Sequence, residues 1–161
     1  MTASAVDAGQ PREVHEFGLA AALQLEANRR RLWPTRRVIA DLTPVLTRGS
    51  AHCRLPGAVE QAAFWIAREA LANALRRHAP GQGDVVLRLD LHEHGLRLEV
   101  NDGLHDPCGL DALQHAPPGA EPPLGLQALQ ARARSVGARL SVRWAQQGGT
   151  WTSLSWHRYP A

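Results

Sequence analysis

The 161-residue sequence contains no lysine: all 18 of its basic residues are arginines. Clustered cations gain affinity for nucleic acid by releasing phosphate counterions, and the formal net charge of +3 has the right sign for it. The arginines are nevertheless scattered, apart from Arg29-Arg30-Arg31 and Arg36-Arg37 around Trp33-Pro34, so no nucleic-acid surface is expected. Cysteine is scarce too. Cys53 and Cys108 stand apart, with no cysteine or histidine at zinc-type spacing, so both thiols are expected to be idle and are assigned no chemistry. No apolar run approaches the roughly 20 residues that a membrane helix needs, and the N-terminus lacks a basic-then-apolar signal pattern. A cytoplasmic location is expected.

Hydrophobic residues make up 44% and charged residues 20%, a balance that suits one folded domain with a core of its own. Residues 1–12 are small, polar and proline-containing and read as a flexible tail, leaving 13–161 as the domain. A first helix is predicted from about Glu13 to Leu32, with Phe17, Leu19, Ala20, Leu23 and Ala27 as its apolar stripe and Pro34 as its stop. A short strand near Val38–Leu42 follows. Pro56 suits the first turn of a second helix, which continues to about His78 and ends at Pro80-Gly81.

Beyond it the period changes from helical to alternating. Val85, Leu87, Leu89 and Leu91 share one face of a half-buried strand, and Leu96, Leu98 and Val100 repeat the pattern after a turn at His94-Gly95, which makes a hairpin. The segment His105–Pro123 holds too many prolines and glycines for a long element. A further helix opens at Gly125, buries Leu126, Leu129, Ala133 and Val136, and ends at Gly137. Leu140, Val142 and Trp144 then alternate, Gly148-Gly149 turns, and Thr150–Trp156 closes a second hairpin. This order predicts an α+β fold, a two-layer sandwich in which a mixed sheet is covered on one face by helices.

Inside the second helix, Glu69 and Asn73 stand one turn apart on one face of an otherwise apolar stretch, with Arg76 or Arg77 a turn later. A carboxylate suits general-base work, and an amide oxygen suits a hard cation such as Mg²⁺. The plainer alternative is a solvated polar face. Gly125-Leu126 opens a helix after a loop, and helix N-termini offer unpaired N–H groups to anions. Leu96–Gly103 is a strand ending in Asp102-Gly103, which is either a recognition acid or a simple Asp-Gly turn.

These segments resemble the boxes of the GHKL ATPases, in particular the ATP-binding domain of nitrate-sensor-type two-component sensor histidine kinases. Glu69-Ala70-Leu71-Ala72-Asn73-Ala74 followed by Arg76, Arg77, His78 and Ala79 is similar to the family's N box, Glu-Ala-Leu-x-Asn-Ala with basic-His-Ala after it. Gly125–Gly137 resembles its Gly-Leu-x-Gly-Met-x-Glu-Arg-Ala-x-x-Leu-Gly-Gly, and Gly148-Gly149-Thr150 its Gly-Gly-Thr before the last strand. The resemblance implies the Bergerat α/β sandwich, ATP and Mg²⁺ as cofactors, and His105–Pro123 as a lid. It further implies Glu69 as catalytic base and Asn73 as the Mg²⁺ ligand. Asp102 would read the adenine amino group, with Gly103, Gly125, Leu126, Gly149 and Thr150 also lining the nucleotide.

Some positions depart from the family. Leu104 and Pro123 stand where glycines are expected, and His78 lies five residues after Asn73 instead of four, which leaves open which of Arg76, Arg77 and His78 meets phosphate. His15-Glu16 lies where a phosphoacceptor tempts the eye, yet the neighbouring Leu19-Ala20-Ala21-Ala22-Leu23 better matches the stretch that follows the acceptor helices, so His15 is expected to be a surface residue. The implied function is ATP binding in two-component signalling, with a response regulator or partner kinase as protein partner and phosphorylation of a histidine on another chain. The alternative is a degenerate, non-catalytic module that docks a kinase, response regulator or sigma-factor partner.

Overall fold

A computed structural model describes residues 11–30, 37–42, 54–76, 83–92, 94–102, 113–114, 125–145 and 149–159. Its elements in chain order are α1 (Arg12–Phe17), α2 (Leu19–Arg30), β1 (Val38–Asp41), α3 (Gly57–Arg76), β2 (Val85–His92), β3 (Gly95–Asp102), β4 (Leu113–Gln114), α4 (Leu126–Ser135), β5 (Arg139–Ala145) and β6 (Thr150–His157). The strands form one six-stranded sheet in the order β1-β2-β3-β6-β5-β4. The β1–β2 pair is parallel, joined through α3 as a parallel connection requires, and every other pair is antiparallel.

Alternation decides which face is covered. Val85, Leu87, Leu89, Leu91, Leu96, Leu98, Val100, Leu154 and Trp156 are buried against Leu19, Leu23, Ile66, Ala67, Leu71 and Ala74 of the helices. The opposite face carries Arg88, Asp90, Arg97, Glu99, Ser153 and Ser155 at the intervening positions. This is the predicted α+β sandwich with helices on one face.

Several boundaries move. The predicted Glu13–Leu32 helix is two helices, divided at Gly18, whose φ of +85° lies in the left-handed region that a side chain rarely enters. Because α1 turns away there, Phe17 is 60% exposed instead of joining the apolar stripe, while Leu19, Ala20, Leu23 and Ala27 are buried. Arg12 already belongs to α1, so helix begins inside the segment expected to be a tail. His15 is exposed, as expected. Within the segment expected to hold no long element, the two residues Leu113–Gln114 pair with Trp144 and Ala145 of β5; the rest of His105–Pro123 lies outside the described residues.

Charged groups fasten the helical layer. Arg29 donates to Glu13 at 2.9 Å, and this hydrogen bond holds the Glu13 carboxyl below its ordinary range. The α1–α2 tie is therefore complete above the ordinary carboxylate range and disappears as pH falls through the lowered value. Glu26 of α2 is buried and receives Arg30 at 2.7 Å, with Arg68 of α3 at 3.8 Å.

Glu60 of α3 is also buried. Its carboxylate accepts from Arg54 Nε at 3.2 Å, from Arg54 Nη2 at 2.9 Å and from the Leu55 amide at 3.0 Å. Arg54 reaches on to the carbonyl of Val14 at 3.2 Å, joining α1 to the start of α3. Neither residue stands out in the sequence. The only signal is a glutamate in the first turn of a helix opened by Pro56, which is ordinary by itself.

Candidate functional site

The polar face of α3 is built from its own turns. Asn73 is buried at 7% exposure among Ile66, Ala70 and Ala74, so the plain solvated-face alternative fails for it. The Glu69 side chain is 39% exposed and that of Arg76 52% exposed. Arg76 Nη2 donates to Glu69 Oε1 at 2.9 Å and also to Asn73 Oδ1. One guanidinium nitrogen thus bridges the two groups the sequence singles out, because positions 69, 73 and 76 share a helix face. Arg76 is turned back onto its own helix. Arg77 and His78 lie outside the described residues.

A second group forms at the end of the sheet. Asp102 is the last residue of β3, paired in register with Val85 of β2, and it is fully buried, with Oδ2 shut off from solvent. A carboxylate on a simple Asp-Gly turn would be hydrated; burial here demands partners that only a built site or a polar network supplies. Gly103 lies outside the described residues. From the neighbouring strand β6, Trp151 pairs with Asn101, which brings the start of β6 alongside Asp102. Gly149 has φ +102°, and a Cβ on it would run into the Asp102 carbonyl oxygen. Thr150 is buried beside it. The structure therefore unites Asp102, Gly149 and Thr150, and it shows Gly149 at a backbone-to-backbone approach that the sequence did not suggest.

Gly125 caps the N-terminus of α4 in a left-handed conformation, φ 77° and ψ 10°. Having no side chain, it leaves the first-turn amides without the oxygen acceptor that a serine or aspartate cap would supply. Leu126 is half-buried, and Leu129 and Ala133 are buried. At the other end the Ala138 and Gly137 amides donate to the Ala133 and Arg134 carbonyls, and Trp156 Nε1 donates to the Val136 carbonyl at 3.0 Å. Arg68 of α3 and Arg132 of α4 both approach the Trp65 ring, at 4.9 and 5.8 Å from its centroid. Helix α4 is thus held through its C-terminal half, by α3 on one side and by β6 on the other.

Among the described residues no group of three His, Cys, Asp or Glu side chains converges to hold a metal. A recess of about 450 Å³ lined by Gln130, Arg134, Gly137, Ala138 and Arg139 lies at the far end of α4 from Gly125, away from these groups. Among the described residues no helix is long and apolar enough to cross a membrane.

No family model and no curated protein matches the sequence. Solved structures do match. The histidine kinase domain from the Erythrobacter litoralis EL346 blue-light activated histidine kinase superposes with TM-score 0.56 at 19% identity, over 85% of this chain and 63% of that one. The mycobacterial sensor histidine kinase MprB gives TM-score 0.52 at 19% identity, over 87% of this chain and 94% of that one. The Acinetobacter baumannii histidine kinase AdeS gives TM-score 0.52 at 12% identity, over 87% and 64%. The chain spans about two thirds or less of two of these three. Its sheet order, its helical layer and these superpositions agree: this chain has the histidine-kinase type of fold.

Proposed function

We propose that the chain is an adenine-nucleotide-binding domain of histidine-kinase type that acts in two-component signalling, of the nitrate-sensor kind its boxes resemble. The observation that carries this reading is the Glu69–Asn73 face of α3, an acid and a buried amide one turn apart, in a fold shared with histidine kinase domains. In this reading ATP takes its phosphates to the first-turn amides of α4 at Gly125-Leu126 and to the basic group Arg76, Arg77 and His78. Asp102 accepts the adenine amino group, and Gly149 and Thr150 border it. Glu69 takes the proton released when a histidine on another chain receives the phosphoryl group. The divalent cation that the resemblance implies would be held by Asn73 Oδ1, a hard oxygen donor to which Arg76 donates. A response regulator or a partner kinase would be the protein partner.

Calorimetric titration of the chain with ADP or a non-hydrolysable ATP analogue should saturate, and Asn73→Ala should abolish the signal. No binding at millimolar nucleotide would overturn the reading. Asp102→Asn should weaken adenine nucleotides about 10- to 100-fold and erase their preference over guanine nucleotides, since it turns an acceptor into a mixed donor and acceptor.

One observation favours a second reading, a kinase-like module that docks a partner without catalysis: Arg76 folds onto both Glu69 and Asn73, in a chain that also replaces two family glycines by Leu104 and Pro123. Robust phosphotransfer from labelled ATP to a partner histidine would exclude it.

A further inference from the structure

Arg76 is the last described residue of α3, and its guanidinium lies where the nucleotide reading needs a metal. Its Nη2 bridges Glu69 Oε1, at 2.9 Å, and Asn73 Oδ1, the oxygen that would otherwise face the cation. Two physical facts favour this occupant. A guanidinium is a cation with several N–H donors and no acceptor, so it sits against carboxylate and amide oxygens as a metal ion does. And a dication on the same amide oxygen would bring like charges into contact, with the nearby Glu69 carboxylate already engaged by Arg76.

We infer that Arg76 stands in for the divalent cation, so that a nucleotide polyphosphate binds this chain without a metal requirement. The inference rests on the nucleotide-binding reading above and puts Arg76 in place of the cation in it. Glu69 and Asn73 then serve as positioning groups that aim the guanidinium. Its remaining N–H donors meet the phosphate oxygens in the fork geometry that guanidinium and phosphate share.

The test is calorimetric titration of the whole chain with ADP in EDTA and, separately, in excess MgCl₂. The wild-type affinities should agree within about threefold. Arg76→Ala should bind about tenfold or more weakly in EDTA and regain most of that loss in MgCl₂, because the vacated Asn73 oxygen becomes available to the metal. A wild-type affinity about tenfold weaker in EDTA would overturn the inference and leave the nucleotide reading standing. So would an Arg76→Ala chain that binds equally well in EDTA. Absence of binding in both buffers would remove the nucleotide reading and this inference with it. Circular dichroism establishes that the variant is folded; if it is not, the wild-type comparison alone decides.

Discussion

Arg54→Ala should lower folding stability by about 3–5 kcal/mol, a far larger loss than an arginine with a 48% exposed side chain suggests. Exposed ion pairs contribute about 0–1 kcal/mol, because water screens them and entropy opposes them. Here the partner decides. Glu60 is 0% exposed, and both of its oxygens are engaged, Oε1 by Arg54 Nε and the Leu55 amide and Oε2 by Arg54 Nη2. Removing Arg54 leaves a buried carboxylate with one neutral donor, and it also releases the Val14 and His15 carbonyls of α1. Urea unfolding should show the lower midpoint with little change in slope. Replacing both residues by apolar ones of similar size, Arg54→Met with Glu60→Leu, should recover much of the loss, since the desolvation cost leaves with the pair. A loss under about 1 kcal/mol for Arg54→Ala would mean that the pair behaves as a surface contact.

Gly149→Ala should cost about 2–6 kcal/mol and weaken nucleotide binding at the same time. The φ of +102° costs about 1–3 kcal/mol for a residue with a Cβ, and the collision with the Asp102 carbonyl adds about 1–3 kcal/mol of overpacking. The obstacle is backbone and cannot swing aside as a side-chain tip would. The end of β3 must therefore shift, and Asp102 shifts with it. Gly57→Ala is the control: a Cβ there meets nothing within 4 Å, φ is not positive, and the helix gains a better former, so stability should hold or rise by about 0.5 kcal/mol. Equal effects for the two variants in thermal unfolding would show that glycine entropy, not the close approach, governs Gly149.

Much of the fold was legible because its elements are periodic on their own. The alternation over Val85–Leu91 and Leu96–Val100 encodes strands whichever neighbours they meet, and the helix carrying Ile66, Ala70 and Ala74 encodes its buried stripe. Gly18 escaped notice because a lone glycine between apolar residues reads as a tolerated helix position; only the positive φ reveals a break. Phe17 was misplaced for the same reason.

The sequence alone placed Glu69 and Asn73 on one helix face, since i and i+4 are neighbours on any α-helix, and it located the glycine that opens α4. The tertiary structure decided the rest of the site. Strand order sets β6 beside β3 and so joins Asp102 to Gly149 and Thr150, residues far apart along the chain whose contact leaves no periodic trace. Burial makes Glu60, an ordinary glutamate in the sequence, the partner of Arg54. The direction of the Arg76 side chain, back toward Glu69 and Asn73, came from hydrogen bonding in three dimensions, because a long side chain has many rotamers and spacing alone does not choose among them.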